Sequence, residues 1–185
     1  MKITTKKLVL VGLLAALTCA GSALRIKVPA DIVGTSAFHL GNILCALSGI
    51  LLGPWFGSLA AGLGSAIYDM FDPFYISECW LTFLMKGLYG LAAGGVITLF
   101  RKKGSYFPAL LASIAGAVTY AVLYLAKTYF YSGRLIHGLP HEGAILSVIS
   151  KLPATAFNAA VAIIAAPLLA VILRKALTRS HLLTN

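Results

Sequence analysis

Three lysines, Lys86, Lys127 and Lys151, each interrupt a long hydrophobic stretch of this chain. Counted inward from the outer ends of those stretches, Lys86 lies about six residues deep, Lys151 about seven and Lys127 about four, or roughly 6–10 Å at 1.5 Å per residue. An ammonium in a spanning helix costs on the order of 3 kcal/mol at the bilayer centre and less near the interface, so it marks a functional position with a partner. Lys127, the shallowest, reads as a side chain that snorkels to the headgroups. Lys86 and Lys151 recur at similar depth and read as lining one cavity, where they would hold an anionic or strongly electron-rich group. Asn158 stands seven residues beyond Lys151 and therefore on the same helix face. The competing account has Glu78 or Asp69 neutralising Lys86 for purely structural reasons.

Around these lysines the sequence places Asp69, Asp72, Glu78, Trp80, Tyr120, Tyr124, Tyr131, His141 and Glu142 at or near the same half of the membrane. Tyr131, and Trp55 on the other side, fit an interfacial aromatic belt. Trp80 beside Glu78 offers a ring to stack on and a carboxylate to bond with, which suits a small polar heterocycle.

Catalytic chemistry finds no support. The chain carries no HExxH, no GxSxG and no Walker A motif. His39, His137, His141 and His181 give no metal-ligand pattern beyond His137-xxx-His141, which falls in a Gly-Pro loop rather than on a helix. Cys19, Cys45 and Cys79 lack CxxC spacing and read as packed thiols. The expectation is a non-enzyme with no catalytic residues, no metal and no cofactor. If it drives uphill transport, the energy comes from elsewhere.

The elements that position these groups are membrane helices. Apolar residues make up 59% of the chain and charged residues 11%, against about 25% charged in a soluble domain. At about 20 apolar residues per crossing, or fewer for short helices, the spans read as roughly 8–24, 40–54, 56–72, 80–100, 106–131 and 144–173. The second and third are joined at Gly53-Pro54-Trp55, where proline removes a backbone donor. Lys2, Lys6, Lys7, Arg101, Lys102, Lys103, Arg174, Lys175 and Arg179 fall on one side, and only Arg25, Lys27 and Arg134 in the segments opposite. The positive-inside rule then puts both termini in the cytoplasm. The expected fold is an all-α integral membrane protein, a six-transmembrane-helix bundle forming a single membrane domain over residues 1–185.

The same sorting explains the net charge of +10. Most cations flank helices, with no basic stripe of the kind that binds nucleic acid, so no nucleic-acid partner is expected. The Lys6-Lys7 start could pass for a signal peptide, but its removal would leave an odd number of crossings.

Small residues four apart mark helix faces that touch. Gly57-xxx-Ala61-xxx-Ser65, Gly90-xxx-Gly94 and Ala112-xxx-Gly116 read as internal packing, while Gly12-xxx-Ala16-xxx-Ala20 forms a stripe along the first helix. The segment 25–39 is a long mixed loop that could serve as a lid or as a plain solvated connector.

Several of these segments together resemble the substrate-binding S components of energy-coupling factor (ECF) transporters. The resemblance rests on the Lys-rich start with Ala16-xxx-Ala20, on His39-Leu40-Gly41-Asn42, on the turn running from Leu51-Leu52-Gly53-Pro54-Trp55 to Gly64-Ser65, and on Phe83-Leu84-Met85-Lys86-Gly87. It covers about residues 1–100 and is compatible with the rest in length. It implies a bacterial cell-membrane protein that captures a vitamin or precursor at its outer face. Such a subunit then docks on a transmembrane coupling subunit with two ATP-hydrolysing subunits and topples to deliver its cargo.

By position, Ala16 and Ala20 would touch the coupling subunit, with Gly12 extending the stripe. Residues 25–39 would be the lid. The substrate-binding set would comprise His39, Asn42, Glu78, Trp80, Lys86, Tyr124, Lys151 and Asn158. The cargo class extends over riboflavin, pyridoxine-like compounds, hydroxymethylpyrimidine and pantothenate. A stand-alone secondary carrier or channel is the alternative, disfavoured by the absence of a visible repeat. A small membrane enzyme using Lys86 or His39 is the third reading and lacks a nucleophile and base.

Overall fold

The computed structural model describes residues 4–31, 34–100, 105–180 and 182. Lys2, Arg101, Lys102 and Lys103, four of the cations used to orient the chain, lie outside the described residues. Helix α1 (Thr5–Ala23) leads into strands β1 (Arg25–Asp31) and β2 (Gly34–His39), and then into α2 (Gly41–Met70). A short 3-10 turn (Ile76–Glu78) starts α3 (Cys79–Thr98), followed by α4 (Tyr106–Lys127), a π-helical extension (Thr128–Ile136) and α5 (His141–Arg179). Among the described residues, five helical stretches are long and apolar enough to cross a membrane.

Helix α2 is not one rod. Gly53 takes φ 79° and ψ −174°, a left-handed φ that glycine reaches without a Cβ clash, and the chain folds back on itself there. Cys45 Sγ and Ser65 Oγ, twenty residues apart, come within 3.6 Å. A Cβ on Gly57 would lie 2.5 Å from Gly49 Cα, and one on Gly90 would lie 2.6 Å from the Gly57 carbonyl oxygen. Two arms, 41–52 and 54–70, thus pack at backbone contact with each other and with α3. That is how helices hold together in a solvent as apolar as their own side chains.

The break has a second consequence. Pro54 has no N–H, so the Ile50 carbonyl loses its donor four residues on. Arg174 of α5 supplies one: its Nη2 donates to the Ile50 oxygen at 2.8 Å. Lys7 of α1 stands 5.6 Å from the centroid of the Phe56 ring. One end of the bundle therefore gathers the start of α1, the Gly53 turn and the last third of α5.

The opposite end carries the β-hairpin. Where the sequence suggests an irregular loop over 25–39, the chain forms an antiparallel pair with Arg25 opposite His39 and Lys27 opposite Ala37. Arg25-Ile26-Lys27-Val28 alternates polar and apolar residues, as a strand should. Its polarity is inverted, however: Ile26 and Val28 are exposed, while Arg25 and Lys27 turn toward carboxylates at the end of α2. Helix α4 also runs further than the expected 131, through the π-turn to Ile136.

The interior is built of small side chains. Ala46, Ala60, Ala61, Ala93, Ala112 and Ala162 are fully buried around Leu47, Ile50 and Tyr89. Larger apolar residues such as Leu8, Leu13, Val122 and Ile172 face outward, as a lipid solvent permits.

Candidate functional site

At the hairpin end, the helices enclose a polar cavity with an empty volume of about 680 Å³ that includes its open mouth. Each wall comes from a different element: His39 from β2, Asp69 from α2, Lys86 from α3, Tyr120 and Tyr124 from α4, and Asn158 from α5.

Lys86 is only 3% exposed. Its ammonium donates to Asn42 Oδ1 of the first α2 arm and stands 3.8 Å from the centroid of the Tyr120 ring, a cation over an aromatic face. Tyr120 stacks in turn on Tyr89 and Tyr124, with centroids 5.9 and 5.7 Å away. The i, i+4 spacing of Tyr120 and Tyr124 puts both rings on one face of α4.

The other charges are paired. Glu78 accepts from Lys127, and Ser132 Oγ lies 3.4 Å from its other oxygen. Lys127 is therefore the ion-pair partner of Glu78 rather than a snorkelling side chain, because the packing of α4 against α3 brings a carboxylate within its reach. The same pair removes Glu78 as the neutraliser of Lys86. Arg25 lies 3.5 Å from Asp69 and 3.8 Å from Asp72, and Lys27 lies 2.7 Å from Asp72. The Arg25 guanidinium also covers the Tyr68 ring at 4.0 Å. Burial alone would raise the Asp72 carboxyl, but the bonds from Lys27 and the Phe74 amide, with the charges of Lys27 and Arg25, hold it below its usual range.

Asn158 binds the hairpin's backbone as a neighbouring strand would. Its Oδ1 accepts from the His39 N–H at 3.0 Å and its Nδ2 donates to the Ala37 carbonyl at 2.7 Å. His39 Nδ1 accepts from the Gly41 N–H at 3.1 Å, which leaves its proton on Nε2. Burial, and then the charges of Lys86 and Arg25, push its pKa well below the usual imidazole value, so His39 is neutral.

Of the eight residues expected to bind substrate, His39, Glu78, Lys86, Tyr124 and Asn158 line the cavity. Asn42 is buried behind Lys86. Trp80 is 52% exposed and meets Tyr131 edge to face at 6.2 Å, so it stands at the outer surface. Lys151 is buried but does not line the cavity with Lys86. It shares the face of Asn158 yet lies about 10 Å nearer the start of α5 at 1.5 Å per residue, ahead of Ala154 and Thr155, which line the cavity. Arg25, Asp69 and Tyr120 belong to the wall and were not in the expected set. The Tyr120-xxx-Tyr124 spacing was a usable signal, whereas nothing in sequence separation joins Arg25 to Asp69.

On α1, Gly12, Ala16 and Ala20 are exposed, while Leu10, Leu14, Thr18 and Gly21 on the opposite face are buried. A Cβ on Gly12 would meet nothing within 4 Å. The stripe is therefore not part of the internal packing of the bundle.

Membrane-length helices around a hydrogen-bonded polar cavity, with a hairpin at its open mouth, define a multi-helix membrane protein with a polar cavity at one end. The chain belongs to the family described as the ECF-type riboflavin transporter, S component, which it matches over residues 2–175. It is also similar to a curated protein of Pyrococcus woesei described as an uncharacterized protein in gap 3'region. That protein is 29% identical over 120 residues, which cover 64% of this chain and 74% of the relative. Members of the family are membrane transport subunits, and this chain is one of them.

Proposed function

We propose that this protein is the substrate-capturing subunit of an ATP-driven importer. It takes a small water-soluble vitamin or precursor into the cavity beneath the hairpin and docks through α1 on a transmembrane coupling subunit served by two ATP-hydrolysing subunits. The observation that carries this is the division of labour between two surfaces. A polar cavity sits at one end of the bundle, and a smooth small-residue stripe runs along the outward face of α1, away from that cavity. Close backbone approach along such a stripe is how one membrane helix engages another.

The fold-back at Gly53 supports six crossings, since each arm of α2 can traverse part or all of the bilayer. Six crossings return both termini to one side, and the cations near them favour the cytoplasm. The cavity and hairpin then face outside the cell membrane. The chain carries no energy source of its own, so the coupling partners supply the work. The test is affinity purification of the tagged protein from its own membranes in mild detergent. A coupling subunit and ATPases should copurify in stoichiometric amounts, and recovery of the protein alone, with transport retained in reconstituted vesicles, would contradict the reading.

A further inference from the structure

Among the described residues, the charges lining the cavity do not balance. Arg25, Lys86 and Lys127 face two carboxylates, Asp69 and Glu78. Arg25 is paired with Asp69 and Lys127 with Glu78, and His39, the remaining titratable group on the hairpin wall, is neutral. Lys86 donates to a neutral amide, Asn42, and covers the face of Tyr120, while the Asp69 charge that also reaches it is already paired with Arg25. Among the described residues no carboxylate forms an ion pair with it. A buried ammonium without a counter-ion is expensive to maintain, and in a binding cavity the missing charge is the one that arrives with the cargo.

We propose that the cargo is a monoanion, a vitamin-sized carboxylate whose charge settles on Lys86. This rests on the reading of the protein as a substrate-capturing subunit, and it names the chemistry of that substrate. One unbalanced cation calls for one negative charge. A carboxylate carries one at neutral pH, whereas a phosphate monoester carries about 1.5 to 2 and would overshoot. Riboflavin, the compound in the family's description, is uncharged at neutral pH and would leave Lys86 unpaired.

The test uses the full chain in phosphatidylcholine nanodiscs, titrated with matched acid and neutral probes: nicotinate against nicotinamide, pantothenate against panthenol, and riboflavin as a neutral flavin. At least one acid should bind tenfold or more tightly than its neutral counterpart. Lys86→Gln, which keeps a hydrogen-bond donor but loses the charge, should weaken that acid about ten- to hundredfold, the range of a charge-assisted contact. The thermal midpoint of the empty Lys86→Gln protein should equal or exceed that of the wild type, because an uncompensated buried charge has been removed. A purely structural lysine would instead lower it.

Tight binding of riboflavin or of the amide or alcohol, unaffected by Lys86→Gln, would overturn the anion assignment while leaving the capturing role intact. Silence of every acid would also overturn it, and copurification with the coupling subunit would then decide the capturing role separately.

Discussion

Lys127 and Glu78 show how a buried charge is held in this protein. Each is largely covered, at 12% and 21% exposure of the side chain, and removing one partner strands the other. Glu78→Gln should lower stability by on the order of 1–3 kcal/mol. The double variant Glu78→Gln/Lys127→Met should recover part of that loss, which thermal unfolding in nanodiscs would reveal as a coupling between the two sites.

His39 makes a second prediction, with a definite sign. Its folded pKa lies below the unfolded value near 6.5, so the unfolded chain binds the extra proton first. Stability contributed by neutral His39 is present above about pH 6.5 and is lost as pH falls below it. The thermal midpoint of the empty protein should decline between pH 7.5 and 5.5, and His39→Asn should flatten that decline. Asp72 does not confuse the measurement, because its lowered pKa places its own loss at more acidic pH. An identical slope in the wild type and His39→Asn would remove His39 as the cause.

At the scale of elements, hydrophobic run length shows the helices, and Gly53-Pro54 shows the break between the two arms of α2. The glycine and alanine spacings in 57–65 and 90–94 show which faces pack, since small residues in lipid have few other uses. Less legible are the features that depend on how helices pair. The contacts Lys127 to Glu78, Arg25 to Asp69 and Asn158 to β2 join residues far apart in sequence, and no local pattern encodes them. The hairpin lay between: the alternation in Arg25-Ile26-Lys27-Val28 was present, but the charges point inward and disguise it as a polar loop. The same packing explains why Lys151, at the right depth and on the right face, lies about one turn of α5 from the residues that line the cavity.

Arg174 belongs to this scale because it repairs an element's defect. It fills the acceptor that Pro54 leaves empty on Ile50. Arg174→Met should destabilise the protein by on the order of 1–3 kcal/mol, the cost of a buried carbonyl without a donor. Cargo affinity should hardly change, as the site is at the other end of the bundle. Parallel measurements of melting temperature and binding would separate the two effects.

For the whole molecule, the account requires a cavity outside, termini inside and a docking face along α1. Cysteines introduced at Gly138 and Lys102 test the orientation: an impermeant thiol reagent added to intact cells should label the first and spare the second. The central claim, that this chain captures cargo by itself and hands it on through α1, is tested most directly by Ala16→Trp. The exposed stripe places this bulky ring outside the bundle, on the face proposed to meet the partner. Cellular uptake of the cargo should fall at least tenfold while binding by the purified variant stays within about twofold of the wild type. Loss of binding along with uptake would place the stripe in the bundle's own packing, and unimpaired uptake would contradict docking through α1.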